Sequence, residues 1–344
     1  MNTRTASATT TSTEPTHNLE FAARYTELAA IAPRLRAAEG ELALLARAPI
    51  ILDLDIGGDP DDAFTLLCAA LLPELVLVVT SDEIGGERAR FARWLLDLLG
   101  RPDVQVVAGA DLDNTRYWVV DGLTPPDIPA QSRDLLGAVR AVCAAAGGLV
   151  RWVGCGPLTN LAHVLLGFPE LGERLVITQM GGAVRYRDPT RAEHNFRLDP
   201  AAARFVVATA ADLTLVLSDV TFRDEIAIYP GHPVYQLLIA AGTLWATVLA
   251  VHLDRWAERF DGRTSKQHDP LTLTVALLLG FVDLARPRIL LDADARLALG
   301  PPGHPTWIST RADYTAFSNW FTTQITTQIA RHTLSSPTLR SEQA

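Results

Sequence analysis

From Pro49 onward, short apolar runs of strand length alternate with segments whose apolar residues recur every three to four positions. The strand-like runs fall at 49–55, 75–80, 104–108, 149–154, 174–179 and 213–217. Helical patterns lie between most of them, at 61–73, 87–99, 132–146 and 200–209. This alternation predicts an α/β chain with a mostly parallel central sheet flanked by helices. Ligands of such sheets bind at the carboxyl ends of the strands, so chemistry is to be sought there. The last third predicts helices at 233–257 and 269–281, a strand at 287–292 and a closing helix at 311–331. No repeat and no Gly/Ser linker interrupts residues 48–333, which read as a single domain.

The ends have a different pattern. Residues 1–18 open with MNTRTASATTTSTEPTH, too polar to bury a core, and are expected to be disordered. Residues 19–47 read as a helical extension carrying Leu19, Phe21, Tyr25, Leu28, Leu35 and Leu42, with Pro33 expected to split it. The extension either packs on the main domain or serves as a partner-binding arm. Residues 334–344 are expected to be flexible.

Composition narrows the function classes. The chain has 344 residues, 48% of them hydrophobic, enough for a large core. A net charge of -9 with no basic tract argues against nucleic acid as a partner. The three cysteines (Cys68, Cys143 and Cys155) suit neither a disulfide framework nor a zinc site, and point to a reducing, cytoplasmic compartment. No apolar run approaches the ~18 residues of a membrane span, and no apolar leader core is visible. No membrane partner is therefore expected.

The candidate chemistry lies in PIILDLDIGGDPDDAF, residues 49–64, with aspartates at 53, 55, 59, 61 and 62. Asp53 and Asp55 end the first strand and, two apart, point the same way. Gly57 and Gly58 make the turn, Asp59 reads as the helix N-cap and Pro60 as its first residue. Asp61 and Asp62 in the first turn gain about 0.3–1 kcal/mol each from the helix dipole. That explanation does not reach Asp53 and Asp55. Carboxylates a few ångströms apart repel unless a cation neutralises them. A hard cation, Ca²⁺ or Mg²⁺, fits such an oxygen-rich set. The closing Glu of an EF-hand loop is missing.

This D-x-D-x-G-x-D-x-D-D-A pattern after a first strand resembles the inosine–uridine nucleoside hydrolase family. Three further stretches agree in order: GCGPLTNLA (154–162), MGGAV (180–184) followed by AEHNFRLDPAAA (192–203), and HDPL (268–271). WISTRADYTAFSNWF is similar to the family's last strand and helix. The resemblance spans about 49–331 and implies a Rossmann-like nucleoside hydrolase fold.

The resemblance implies one Ca²⁺, with Asp55, Asp62 and Asp269 as carboxylate ligands and Cys155 as a backbone-carbonyl ligand. It implies Asp61, Glu193 and Asn195 on ribose hydroxyls, with the backbone near Met180 lining the same pocket. Asp55 would be the general base, and His268 the candidate acid for the departing base. The implied activity is hydrolysis of a ribonucleoside, or a close analogue, to ribose and free base, by a homodimer or homotetramer acting on a small-molecule nucleoside. A haloacid-dehalogenase-like phosphatase also begins strand-DxD, but its later lysine and acidic motifs have no convincing match.

The sequence departs from the family in four places. Where a Gly-Asn is usual after the second strand, Asp82 or Glu83 stands, and an acid there would accept from a sugar hydroxyl. After M-G-G come Arg185, Tyr186 and Arg187, which either meet a phosphate or other acidic substituent or lie in solvent. Tyr117 and Trp118 replace a His-Gly and either stack on a nucleobase or cover the core. His194, where an aromatic is common, either packs or touches the base. These departures leave open the same chemistry on a 5′-modified or secondary-metabolite nucleoside, and a non-catalytic calcium and sugar binder.

Overall fold

The computed structural model describes residues 32–335. The tail at 1–18, residues 19–31 of the extension and the C-terminal stretch after 335 lie outside the described residues. The chain divides into two units, Met1–Arg47 and Ala48–Ala344. In the first, helix α1 (Ala32–Ala46) holds Pro33 in its opening turn, where the missing N–H is tolerated, so Pro33 does not split the described helix.

The second unit runs β1 (Ile50–Leu54), α2 (Asp61–Ala69), β2 (Leu75–Thr80), α3 (Glu87–Leu98), β3 (Gln105–Ala108), α4 (Leu135–Ala146), β4 (Val150–Gly154) and α5 (Thr159–Gly167). Next come β5 (Leu175–Met180), α6 (His194–Leu198), α7 (Pro200–Thr209), β6 (Leu213–Val216), α8 (Ser218–Thr221) and β7 (Ala227–Ile228). There follow α9 (Pro233–Ala241), α10 (Leu244–Arg259), β8 (Ser265–Lys266), α11 (His268–Ala276) and β9 (Val282–Ala285). The chain closes through β10 (Arg288–Leu291), β11 (Leu297–Leu299), β12 (His304–Pro305), β13 (Trp307–Ala312) and α12 (Tyr314–Ser335).

All six strands expected up to residue 217 form, and all join one eight-stranded sheet of order β3-β2-β1-β4-β5-β6-β13-β9. Every neighbouring pair is parallel except β13 and β9. The strand order turns back between β1 and β4, so their carboxyl ends open a crevice at the switch point. Strand alternation builds the two faces. Ile50, Leu52 and Leu54 pack with Phe64, Leu66 and Leu67 of α2 and with Phe317 and Phe321 of α12. Ile51 packs on the opposite face with Val139, Leu161 and Val164 from α4 and α5. Burying one such side chain contributes about 1.5–3 kcal/mol.

The last third differs from its pattern. The single helix expected at 233–257 breaks at Gly242, whose φ of 64° caps α9 in the left-handed conformation. The helix expected at 269–281 ends at Ala276, and residues 282–285 become the antiparallel edge strand β9. The strand expected at 287–292 forms as β10, but in a separate three-stranded sheet with β11 and β12. The closing helix starts at Tyr314, because residues 307–312 form a strand that pairs with β6 at its start and with β9 along its remainder. Among the described residues no helix is long and apolar enough to cross a membrane.

Candidate active site

The carboxylates meet where α2 and α11 pack against each other beneath the end of β1. Asp61 and Asp62 open α2, Asp269 is the second residue of α11, and all three are buried. One carboxylate oxygen from each lies within 4.8 Å of the other two. Asp62 Oδ1 is buried with no hydrogen-bond partner. Asp55 and Asp59 line the same pocket.

Burial, followed by mutual repulsion, holds Asp61, Asp62 and Asp269 well above the ordinary carboxylate range. Burial also raises Asp55, against the nearby Arg88 charge. Asp59 is not the N-cap. Pro60 occupies that position, and the Asp59 carboxylate instead accepts from the Ser265 hydroxyl.

The walls come from β4, β5 and α6. Cys155 follows β4, and its buried thiol contrasts with its carbonyl, which accepts from Asn195 Nδ2 at 2.6 Å. Asn195 also donates to the Met180 carbonyl at 3.2 Å. Glu193 caps α6, and its Oε2 takes N–H groups of Gly182 at 3.1 Å and Asn195 at 3.0 Å. Cys155, Met180, Glu193 and Asn195 all line the pocket with the carboxylates. Tyr117, Trp256 and His194 form an aromatic side, with the Tyr117 ring edge-on to His194 at 5.2 Å.

His268 lines the pocket, stacked on Phe222 with ring centroids 6.0 Å apart and its Nδ1 2.7 Å from the Thr221 hydroxyl. Burial first, then the Lys266 and Arg187 charges, push it down to about 3. The proton reservoir expected from an ordinary imidazole is therefore absent near neutral pH. A neutral ring that accepts the Thr221 O–H at Nδ1 keeps an N–H donor at Nε2. His194 is likewise driven down to about 3, by burial and then by Arg197 and Arg263.

Other expected residues are placed outside the pocket. Both Glu83 oxygens are occupied by protein donors: the N–H groups of Ile84, Gly86 and Arg88 on Oε2, and the Ala89 N–H and Thr80 hydroxyl on Oε1. Glu83 is thus a buried cap of the β2–α3 loop rather than a group facing sugar. Asp82 pairs with Arg88 at 3.4 Å and accepts from Asn114 at 2.9 Å. Trp118 packs over Gly57, whereas its neighbour Tyr117 reaches the pocket. Arg185 is exposed away from the pocket, and Arg187 lines it.

Three residues given no role from sequence hold the site together. Arg88, fully buried, donates to the Asp55 and Ile56 carbonyls and so fixes the chain at the end of β1. Asn160 donates to Asp53 Oδ1 at 3.0 Å and to the Thr80 carbonyl at 3.1 Å, tying β1 to β2. His252 sets its Nε2 2.9 Å from the Gly58 carbonyl. Asn160 stood in the GPLTN stretch and was recognisable there. A buried arginine or histidine carries no such local signal.

The pocket floor fits a hard cation. Its donors are all oxygens, one of them has no protein partner, and the carboxylates raise one another's pKa for want of a counter-charge.

Comparison with known proteins identifies the family. The profile of the inosine-uridine preferring nucleoside hydrolases matches residues 50–327. The pyrimidine-specific ribonucleoside hydrolase RihA of Klebsiella pneumoniae is 29% identical over 289 residues, covering 77% of this chain and 88% of that protein. Among solved structures, the purine-preferring ribonucleoside hydrolase from Gardnerella vaginalis superposes with a TM-score of 0.70 at 22% identity, covering 82% of this chain and 99% of its own. The inosine-uridine preferring nucleoside hydrolase from Bacillus anthracis superposes with a TM-score of 0.65 at 16% identity, covering 81% of this chain and 99% of its own. With its profile match running from β1 into α12, this chain belongs to the inosine–uridine preferring nucleoside hydrolase family and is a ribonucleoside hydrolase.

Proposed function

We propose that the enzyme hydrolyses the N-glycosidic bond of a ribonucleoside with Ca²⁺ held at the pocket floor. The carrying observation is the crowding of Asp61, Asp62 and Asp269 oxygens within 4.8 Å, with Asp62 Oδ1 unpartnered. The family is metal-dependent, and Ca²⁺ suits an all-oxygen site. Asp55, Asp62, Asp269 and the Cys155 carbonyl are the proposed ligands, the carbonyl sharing its second lone pair with Asn195. When bound, the cation supplies Lewis acidity toward a water and the sugar hydroxyls.

The chain's own residues do the rest. Asp55 takes the proton of the attacking water as general base. Asp61 accepts from a ribose hydroxyl, while Glu193 and Asn195 hold the others, each kept in its rotamer by the α6 hydrogen bonds. As the C1′–N bond stretches, the acidic floor favours the oxocarbenium charge. His268, neutral, assists the departing base through its ring N–H rather than as an imidazolium. Tyr117 offers the aromatic surface for that base.

The three cysteines are free and buried, which supports a reducing, cytoplasmic setting. A homodimer or homotetramer is the proposed assembly. The test is release of free base from uridine, cytidine and inosine in the presence of calcium. Release from at least one is expected, and binding without release from any would replace the hydrolase with a sugar binder. The arginine at the pocket mouth favours a second reading, in which the same chemistry acts on a 5′-modified nucleoside.

A further inference from the structure

The pocket is electrically divided. Its floor is acidic, and its lining also contains three arginines, Arg187, Arg197 and Arg263. Arg197 is committed, donating to the Ala192 carbonyl at 2.8 Å and meeting His194 Nδ1 at 3.1 Å. Among the described residues, the Arg187 and Arg263 guanidinium groups have no hydrogen-bonded acceptor and no ion-pair partner.

Aromatic faces hold these two instead. The Arg187 guanidinium lies 4.6 Å from the Tyr186 ring centroid and 4.4 Å from that of Phe222. Arg263 lies 5.1 Å from the Trp256 centroid. Stacking of this kind fixes a guanidinium's plane while leaving its N–H fork free to grip a planar or tetrahedral oxyanion. Both side chains line the pocket, within electrostatic reach of the His194 imidazole. Arg263 also acts on Asp59 at long range, without a contact that would spend its donors on that carboxylate. A neutral nucleoside would leave both forks unused.

We infer that Arg187 and Arg263 form an oxyanion clamp at the pocket mouth, and that the preferred substrate is a ribosyl compound carrying a phosphate on its 5′ oxygen. The inference rests on the hydrolase reading above. The reaction is balanced without a further co-reactant. The C1′–N bond breaks, a water oxygen forms the new bond to C1′, and a water proton ends on the base. The products are ribose 5-phosphate and free base.

The experiment compares kcat/KM for uridine 5′-monophosphate and for uridine, with calcium present, in the wild type and in the Arg187→Gln/Arg263→Gln double variant. Any loss common to both substrates cancels in their ratio. The wild type is expected to prefer the monophosphate. The double variant should lower that preference about tenfold for each charge-assisted contact removed. Both side chains are exposed, so the variant should melt with the wild type. A Lys at each position, which keeps the charge but loses the fork, should fall between. Preference for uridine in the wild type, or a ratio untouched in the double variant, overturns the clamp and leaves the hydrolase reading standing. No release of base from either substrate, nor from inosine and its 5′-monophosphate, overturns both.

Discussion

Two acidic loops stand side by side at the sheet's carboxyl edge, after β1 and after β2, and their carboxylates lead opposite lives. In the β2 loop, Glu83 is saturated by four N–H groups and a hydroxyl, and Asp82 Oδ2 is matched by Arg88 and Asn114 while its Oδ1 has no hydrogen-bond partner. In the β1 loop, Asp61 and Asp62 face each other and Asp269, and one oxygen of Asp62 faces nothing. Both loops are buried and both read as acidic in sequence. The difference lies in the partners. A buried carboxylate met by fixed donors is a fastener, while carboxylates left to face one another require a cation. Arg88 joins the two loops, pairing with Asp82 and donating to the backbone that carries Asp55.

Substitutions can break this contrast. The largest effect is expected for Asp55→Asn, which should lower turnover of the best nucleoside substrate by about 10³-fold if Asp55 is the general base. Its circular dichroism and melting temperature should stay those of a folded protein. Full turnover in that variant would end the mechanism.

Acid should loosen the β1 loop through His252. Burial lowers this histidine to about 4, so the neutral form is the one the fold accommodates. Its contribution is fully present above its ordinary value of about 6.5 and is lost as pH falls toward 4, up to about 3 kcal/mol. Urea unfolding at pH 7 and pH 4.5 should show a steeper loss for the wild type than for His252→Gln. Equal slopes would contradict this.

Calcium should stabilise the wild type by about 2.7 kcal/mol when present at a hundredfold excess over its dissociation constant. Asp62→Asn should abolish most of that thermal shift. A shift of wild-type size in the variant would show that the cation binds elsewhere.

The smallest effect is expected for Glu83→Gln, which sets an amide against N–H donors and should cost about 1–3 kcal/mol of stability. The KM for nucleoside should not change. A raised KM with unchanged stability would return Glu83 to the pocket.

Much of this was legible in the sequence. The six strands to residue 217 were marked by apolar runs, because a parallel sheet buried on both faces demands them. The β1 loop was marked by its own density of aspartates. The placement of Glu83 in the β2 loop differs from the expected one for a physical reason. Asp82 and Glu83 look the same on paper whether they face sugar or backbone, and the choice is made by N–H groups that no side-chain letter reports. Arg88 and His252 escaped for the same reason, since each acts on backbone carbonyls distant in sequence. The break at Gly242 was visible as a glycine, but the apolar periodicity continued across it and outweighed it. Residues 311 and 312 read as the start of a helix because β9, their partner, lies nearly thirty residues earlier in the chain.

The central claim is that the β1 loop holds a cation without which hydrolysis stops. The direct measurement is base release from uridine and uridine 5′-monophosphate by protein stripped with a chelator, before and after calcium is restored. The account predicts no release from the stripped protein and recovery on adding Ca²⁺. Undiminished release from protein verified to be metal-free would contradict it.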